Sequence, residues 1–245
     1  MRPALALGSV LLLLAAGTVA AAPAPAPAPA PAAALWGSLP ERMADTGGGS
    51  QLLTALATGP GATSGWLIWW DRRRDGSWTA AGAAKARFGS KGLTEGSRRK
   101  QGTFTTPTGL YDLPYAFGIS PAPKGVGHAY RRVTKKSWWC QDNRSRSYNR
   151  WVEGLPADCR ASESEHLVTY REQYAHALVI GFNYHRPVRG RGAGIFLHVN
   201  GRGATAGCVS VPRRAMARIL DWADPARDPH IAIGTAWGPT ALTRY

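Results

Sequence analysis

Residues 195–212 hold the groups in this chain that can do chemistry. Ile195 to Val199 is an apolar run that delivers His198. Asn200 to Ala206 is rich in small residues, and Gly207-Cys208 opens a second apolar run that Pro212 ends. Two strands joined by such a loop bring an imidazole and a thiol together. Nucleophilic catalysis by cysteine needs that pair, a thiolate to attack and a base to make it and return the proton. A free thiol with a pKa of about 8.5 is only slightly ionised at neutral pH, so the partner decides its reactivity. Alone, His198 would read as a satisfied strand histidine; beside Cys208 it is the candidate base. Backbone N–H groups around Gly207-Cys208 are candidates for holding an oxyanion, since glycine permits close backbone approach. Asn200, Thr205 or a carbonyl of Asn200-Gly201 are the candidates for orienting the imidazole.

Cysteine parity supports the same reading. The chain has three cysteines, Cys140, Cys159 and Cys208. In an exported protein two of them tend to pair. Cys140 and Cys159 share a polar, loop-like region, so Cys208 is left as the free thiol. The five other histidines, His128, His166, His176, His185 and His230, have no such partner and read as structural or surface residues. Of these, His128 and His166 are the ones able to lie near the cleft. No His/Cys/Asp cluster has metal-ligand spacing, and neither a metal nor another cofactor is expected.

Export itself is read from the N-terminus. Arg2, the apolar stretch Leu5 to Ala16 and the small residues up to Ala22 give residues 1–21 as a signal peptide. The apolar stretch is too short to favour a stable membrane span once the signal is cleaved. Residues 22–34 alternate Pro and Ala, an extended semi-rigid linker. Residues 35–245 then form one domain, with its core at about 60–235.

The domain's elements read as mostly β with short helices. Trp66 to Trp70 and Ser77 to Ala80 look like paired strands around a charged turn. Gly102 to Leu113 enters a strand, and His128 to Val133 is another. Ala177 to Phe182 reads as a buried strand, and Ile231 to Ile233 as a short closing one. Gln51 to Leu56 reads as a short helix, and Asp142 to Pro156 as loop. Ser162 and Glu165 have capping-box spacing, which predicts a helix or helical turn. After Pro212, the residues Met216, Ile219, Leu220 and Ala223 mark one buried helical face.

The formal net charge is +15, from 24 arginines and 6 lysines against 15 acids. That balance favours polyanionic surroundings. Export points to anionic cell-wall polymers rather than nucleic acid, for which no motif is present. The basic runs Arg72-Arg73-Arg74, Arg98-Arg99-Lys100 and Arg213-Arg214 read as solvated faces.

On these residues the chain resembles the L,D-transpeptidase catalytic domain, or YkuD domain, of bacterial cell-wall enzymes. Three stretches besides 195–212 carry the likeness. Thr106-Pro107-Thr108-Gly109-Leu110-Tyr111 is similar to the family's Thr-Pro-x-Gly element. Trp138-Trp139 with Asp142 and Tyr148-Asn149-Arg150-Trp151 resembles a block of a secreted actinobacterial branch. Ala177 to Asn183 is similar to the strand before the active site. The likeness runs from about Gly102 to Gly234. Where the commonest pattern has a second histidine before Gly-Cys, this chain has Ala206, and Ser210 stands where Arg or Asn is usual.

The resemblance implies a YkuD-like β-sandwich with Cys208 as nucleophile and His198 as base. It implies peptidoglycan stem peptides as substrate; Trp139, Tyr148 and Asn149 are candidate contacts, with aromatic core packing an equal reading for Trp139. Cys208 would attack the carbonyl between a diamino acid and D-alanine, and a second stem's amine would take the acyl group in a 3→3 cross-link. Water as acceptor would make the protein an L,D-carboxypeptidase. A third reading is a catalytically inactive, cationic wall-binding protein. The expected location is secreted or in the cell wall.

Overall fold

The computed structural model describes residue 37 and residues 39–245; the signal-peptide and linker expectations for 1–34 lie outside the described residues. In chain order the strands are β1 Gln51–Ala57, β2 Ser64–Arg72, β3 Trp78–Arg87, β4 Leu93–Glu95, β5 Thr106–Asp112, β6 Ala116–Gly118 and β7 Tyr130–Arg132. Then come β8 Ser137–Cys140, β9 Arg150–Glu153, β10 Ser164–His166, β11 Ala177–Val179, β12 Phe196–Val199 and β13 Val209–Val211. Helix α1, Arg213–Trp222, precedes the last strand, β14 His230–Thr235.

Eleven strands form one sheet in the order β4-β5-β14-β1-β2-β3-β13-β12-β11-β6-β7, and β10-β8-β9 form a second, small sheet. The large sheet joins its two halves through a single register pair, Ser210 with Arg87. Inward residues of both halves, among them Leu53, Leu67 and Ile231 from one and Leu178, Leu197 and Val209 from the other, share one core. This is the β-sandwich arrangement, two faces interdigitating over a common core. The buried stripe of α1, Met216, Ile219 and Leu220, joins that core, as helical spacing in the sequence indicates.

Period-two alternation places the site. In β12, Leu197 and Val199 point into the common core, while Phe196 and His198 point to the other face. That other face is covered by Trp139 of β8, together with Phe117, Tyr174 and Leu167. Phe196 makes edge-to-face contacts with Trp139 at 4.8 Å and Phe117 at 5.0 Å between ring centroids. Such pairs each add about 0.5–1.5 kcal/mol beyond area burial. One glycine is required by close approach: a Cβ on Gly82 of β3 would lie 2.1 Å from the Trp69 indole.

Two local expectations need correction, and a third holds only in part. Gln51 to Leu56 is β1 rather than a helix, fully buried between β14 and β2. Its Leu and Ala residues favour helices intrinsically, but pairing on both sides and burial on both faces override that preference. The 142–156 stretch contains β9, paired with β8 over four residues. Ser162 and Glu165 form no capping box. The expected helical turn is present as a 3-10 turn at Ala161–Glu163, which runs into β10, and another at Leu167–Thr169, and no side chain caps either. Ile231 to Ile233 lies within β14, which stands between β5 and β1 near the middle of its half-sheet.

Candidate active site

Parallel pairing of β12 with β13 sets Leu197 against Val209 and His198 against Ser210. Cys208 stands one residue before β13, so it shares its face with Phe196 and His198. Its thiol donates to the Gly194 carbonyl at 3.4 Å and accepts from the Phe196 N–H at 3.4 Å. The other two cysteines form the Cys140–Cys159 disulfide, and Cys208 is the free one.

His198 is anchored through Nδ1, 2.7 Å from the Val199 carbonyl. A carbonyl only accepts, so Nδ1 carries the proton and Nε2 presents its lone pair. Tyr174 meets the ring edge-to-face at 5.6 Å. Burial pulls the imidazole down to about 4, against the Val199 hydrogen bond, which acts the other way. Burial also pushes the Cys208 thiol up to about 12; the Glu165 carboxylate adds to this, while the Phe196 N–H and Arg99 oppose it. The resting pair is therefore a neutral imidazole and a protonated thiol.

Two clefts meet at Cys208. One, of about 310 Å³, is lined by Arg99, Gln101, Phe104, Gln141, Ser162 to Glu165 and Ala193 to Ile195. The other, of about 320 Å³, is lined by His198, Tyr170, Gln173, Tyr174 and the loop Gly201 to Thr205. Cys208, Glu165 and Ala206 border both. Glu165 accepts from Gln141 Nε2 at 2.9 Å and from the Tyr174 hydroxyl.

The loop candidates have other partners than the imidazole. Thr205 Oγ1 donates to the Cys208 carbonyl at 2.7 Å and accepts from the Gly207 N–H at 3.1 Å, so it braces the loop before Cys208. Asn200 Oδ1 accepts from the Ser210 hydroxyl at 2.8 Å, tying β12 to β13. The Gly201 carbonyl accepts from Arg87. The orienting carbonyl is that of Val199. Gly207 sits at φ 141°, where a Cβ would come within 2.7 Å of Arg99 Nη2. Since the Gly207 N–H is taken, the Cys208 N–H is the one left without an acceptor among the described residues.

Trp139, Tyr148 and Asn149 line neither cleft, and all three are buried. Asn149 sits at φ 57°. Its Oδ1 accepts from Trp139 Nε1 and from the Gly194 N–H, both at 2.9 Å. Its Nδ2 donates to the Phe182 and Asn183 carbonyls. The Tyr148 hydroxyl accepts from the Gly192 N–H and donates to Gln101. These residues hold the 192–194 backbone, whose Gly194 carbonyl receives the thiol. His128 and His166 are not in the clefts either; His166 stacks on Trp138 at 4.2 Å.

Sequence reasoning passed over Arg99 and Glu165. Arg99 belongs to a run expected to be solvated, yet it is 6 % exposed while the neighbouring Arg98 side chain is 83 % exposed. Its one sequence signal is position, seven residues before the Thr106-Pro107 element. Glu165 carried a capping signal that pointed elsewhere.

The sandwich thus sets a free cysteine and an anchored histidine on adjacent strands where two clefts meet. The family profile described as YkuD, the L,D-transpeptidase catalytic domain, matches residues 63–232, and the chain belongs to that family, which acts on peptidoglycan. No curated protein sequence matches the chain. Two similar solved structures are of the helical cell shape determining protein Pgp2 from Campylobacter jejuni. A mutant form is 13 % identical with a TM-score of 0.40, over 80 % of this chain and 50 % of that one. Another Pgp2 structure is 12 % identical with a TM-score of 0.38, over 86 % of this chain and 57 % of that one. The chain thus spans little more than half the length of those proteins. Among the described residues no helix is long and apolar enough to cross a membrane.

Proposed function

We propose that this domain is an exported L,D-transpeptidase that forms 3→3 peptidoglycan cross-links through a Cys208 thioester. The observation that carries the reading is the pair itself. A free thiol and an imidazole with its Nε2 lone pair open stand on one face of adjacent strands, where two clefts meet.

Since both groups rest neutral, the proton moves during attack. Cys208 Sγ forms a bond to the carbonyl carbon between the diamino acid and D-alanine, and its proton passes to His198 Nε2. The tetrahedral oxyanion is met by the free Cys208 N–H. As the C–N bond breaks, His198 returns the proton to the leaving amine and D-alanine departs. A second stem's amine then attacks the thioester, giving its proton to His198 as the C–S bond breaks. The thiolate takes that proton back, and an amide cross-link remains.

Two clefts at one sulfur suit a reaction with a donor and an acceptor. Water entering by the acceptor side would give L,D-carboxypeptidase activity from the same thioester. The positive charge suits retention among anionic wall polymers, and the family's substrate suits a location outside the cytoplasm. Incubation with tetrapeptide-stem muropeptides tests the reading: cross-linked dimers and free D-alanine are expected. Tripeptides without dimers would make it a hydrolase. No adduct on Cys208 after carbapenem treatment without reductant, together with no turnover, would leave the inactive wall-binding reading.

A further inference from the structure

Among the described residues Arg99 is the one buried lysine or arginine, and no carboxylate forms a salt bridge with it. Its Nε donates to the Thr105 carbonyl at 2.8 Å and its Nη1 to the Arg191 carbonyl at 3.2 Å. The Phe182 ring lies 5.6 Å from the guanidinium carbon. Nη2 donates to no protein atom, and it lies where a Cβ on Gly207 would come within 2.7 Å. The unsatisfied edge of the guanidinium is thus beside the residue preceding Cys208, on the wall of the cleft that Cys208 lines. Glu163 and Glu165 border that cleft too, but Glu163 pairs with Arg160 and Glu165 accepts from Gln141 and Tyr174.

Withdrawing a cation from water without a partner is costly. A ligand that brings an anion offsets that cost, and a planar fork suits a carboxylate above other anions of this size. Resting on the function proposed above, we infer that Arg99 binds the free C-terminal carboxylate of the donor stem and makes the enzyme specific for stems ending one residue past the attacked carbonyl. Consecutive Cα atoms are about 3.8 Å apart, so the terminal carboxylate lies about one residue length from the carbon that Sγ attacks. A stem one residue longer places its carboxylate beyond the fork and an amide against the cation. An amidated stem leaves the cation unanswered. Arg99 is then a specificity-determining residue, and its cleft is the donor cleft.

The test compares a tetrapeptide stem having a free terminal carboxylate with its terminal carboxamide. Binding is read by calorimetry in Cys208→Ala protein, and turnover by amino-acid release in the wild type. The free acid is expected to bind about 10- to 100-fold more tightly, the usual range for a hydrogen bond to a charged group. In Arg99→Met the ratio should fall to about one, and Arg99→Lys should keep part of the preference. Equal binding of acid and carboxamide with Arg99 intact overturns the inference, whether or not the variants fold. So does an undiminished preference in folded Arg99→Met. Turnover without acid preference would remove the Arg99 site and leave the transpeptidase; acid preference without turnover would do the reverse.

Discussion

The two clefts at Cys208 are nearly equal in volume and opposite in chemistry. The cleft on the Arg99 side is built from distant pieces: the turn before β5, the loop after the Cys140–Cys159 disulfide, and the 193–195 backbone. The cleft on the His198 side is built mainly from the loop that joins β12 to β13 and from Tyr170 to Tyr174. One offers a buried cation without a partner, the other a base with its proton donor side fixed. The difference teaches that, under the proposed function, the reactivity of Cys208 and its choice of substrate are separable, since they rest on different segments.

The largest expected effect removes what both clefts share. Cys208→Ala should lower D-alanine release by on the order of ten-thousandfold or more, as loss of a covalent nucleophile does. It should also abolish any carbapenem adduct in intact-mass measurement. Retained turnover would show that another group does the chemistry. His198→Asn acts on one cleft alone and should lower kcat/KM by about 100- to 10,000-fold, the span of general base catalysis. Acid binding through Arg99 should survive it; a loss of both would mean that the clefts are coupled.

The same histidine predicts a pH dependence of folding. It is held at about 4 in the folded protein against an ordinary 6.5. Between those values the unfolded chain binds a proton that the folded chain does not. Stability is therefore complete above pH 6.5 and falls as pH drops toward 4, by about 3 kcal/mol. Denaturant titrations at pH 7, 5.5 and 4.5 should show this slope in the wild type and a flatter one in His198→Asn. An equal slope in both would place the acid sensitivity elsewhere.

On the other side, Cys159→Ser should cost about 3 kcal/mol, because the bridge closes a loop of 19 residues. It should also loosen Gln141 and Ser162 to Ser164, which line the Arg99 cleft, and so weaken donor binding more than it slows alkylation of Cys208. Asn149→Ala should cost about 2 kcal/mol, by leaving the Trp139 and Gly194 N–H groups without their acceptor. A smaller effect is expected of Thr205→Val, about 1 kcal/mol, with a faster-alkylating Cys208 if the brace on its loop is what restrains it.

Much of the site was legible because the residues that carry it are close in sequence. His198 and Cys208 are ten positions apart, and adjacent apolar strands with alternating faces put them together. Cysteine parity selected the Cys140–Cys159 pair that the structure forms. The strand signals at Trp66 to Trp70, Ala177 onward and Val209 to Val211 were equally local. Tyr148 and Asn149 line neither cleft and Trp139 takes its core-packing alternative, because an aromatic and an amide in a polar stretch look alike whether they face a ligand or a core. Gln51 to Leu56 was misplaced because neither of its partners, β2 and β14, can be inferred from its own residues.

By itself, then, the sequence determined a free cysteine with a histidine on the neighbouring strand, the disulfide and a mostly-β domain, all set by short-range spacing and parity. Tertiary structure alone decided that Val199 orients His198, that Asn149 holds the backbone receiving the thiol, that Glu165 divides the clefts and that Arg99 turns inward. Each of these depends on burial or strand register between segments far apart in the chain. Side chains one residue apart in a run of like charges, as Arg98 and Arg99 are, meet water or protein according to what the rest of the chain folds over them and not according to their own type.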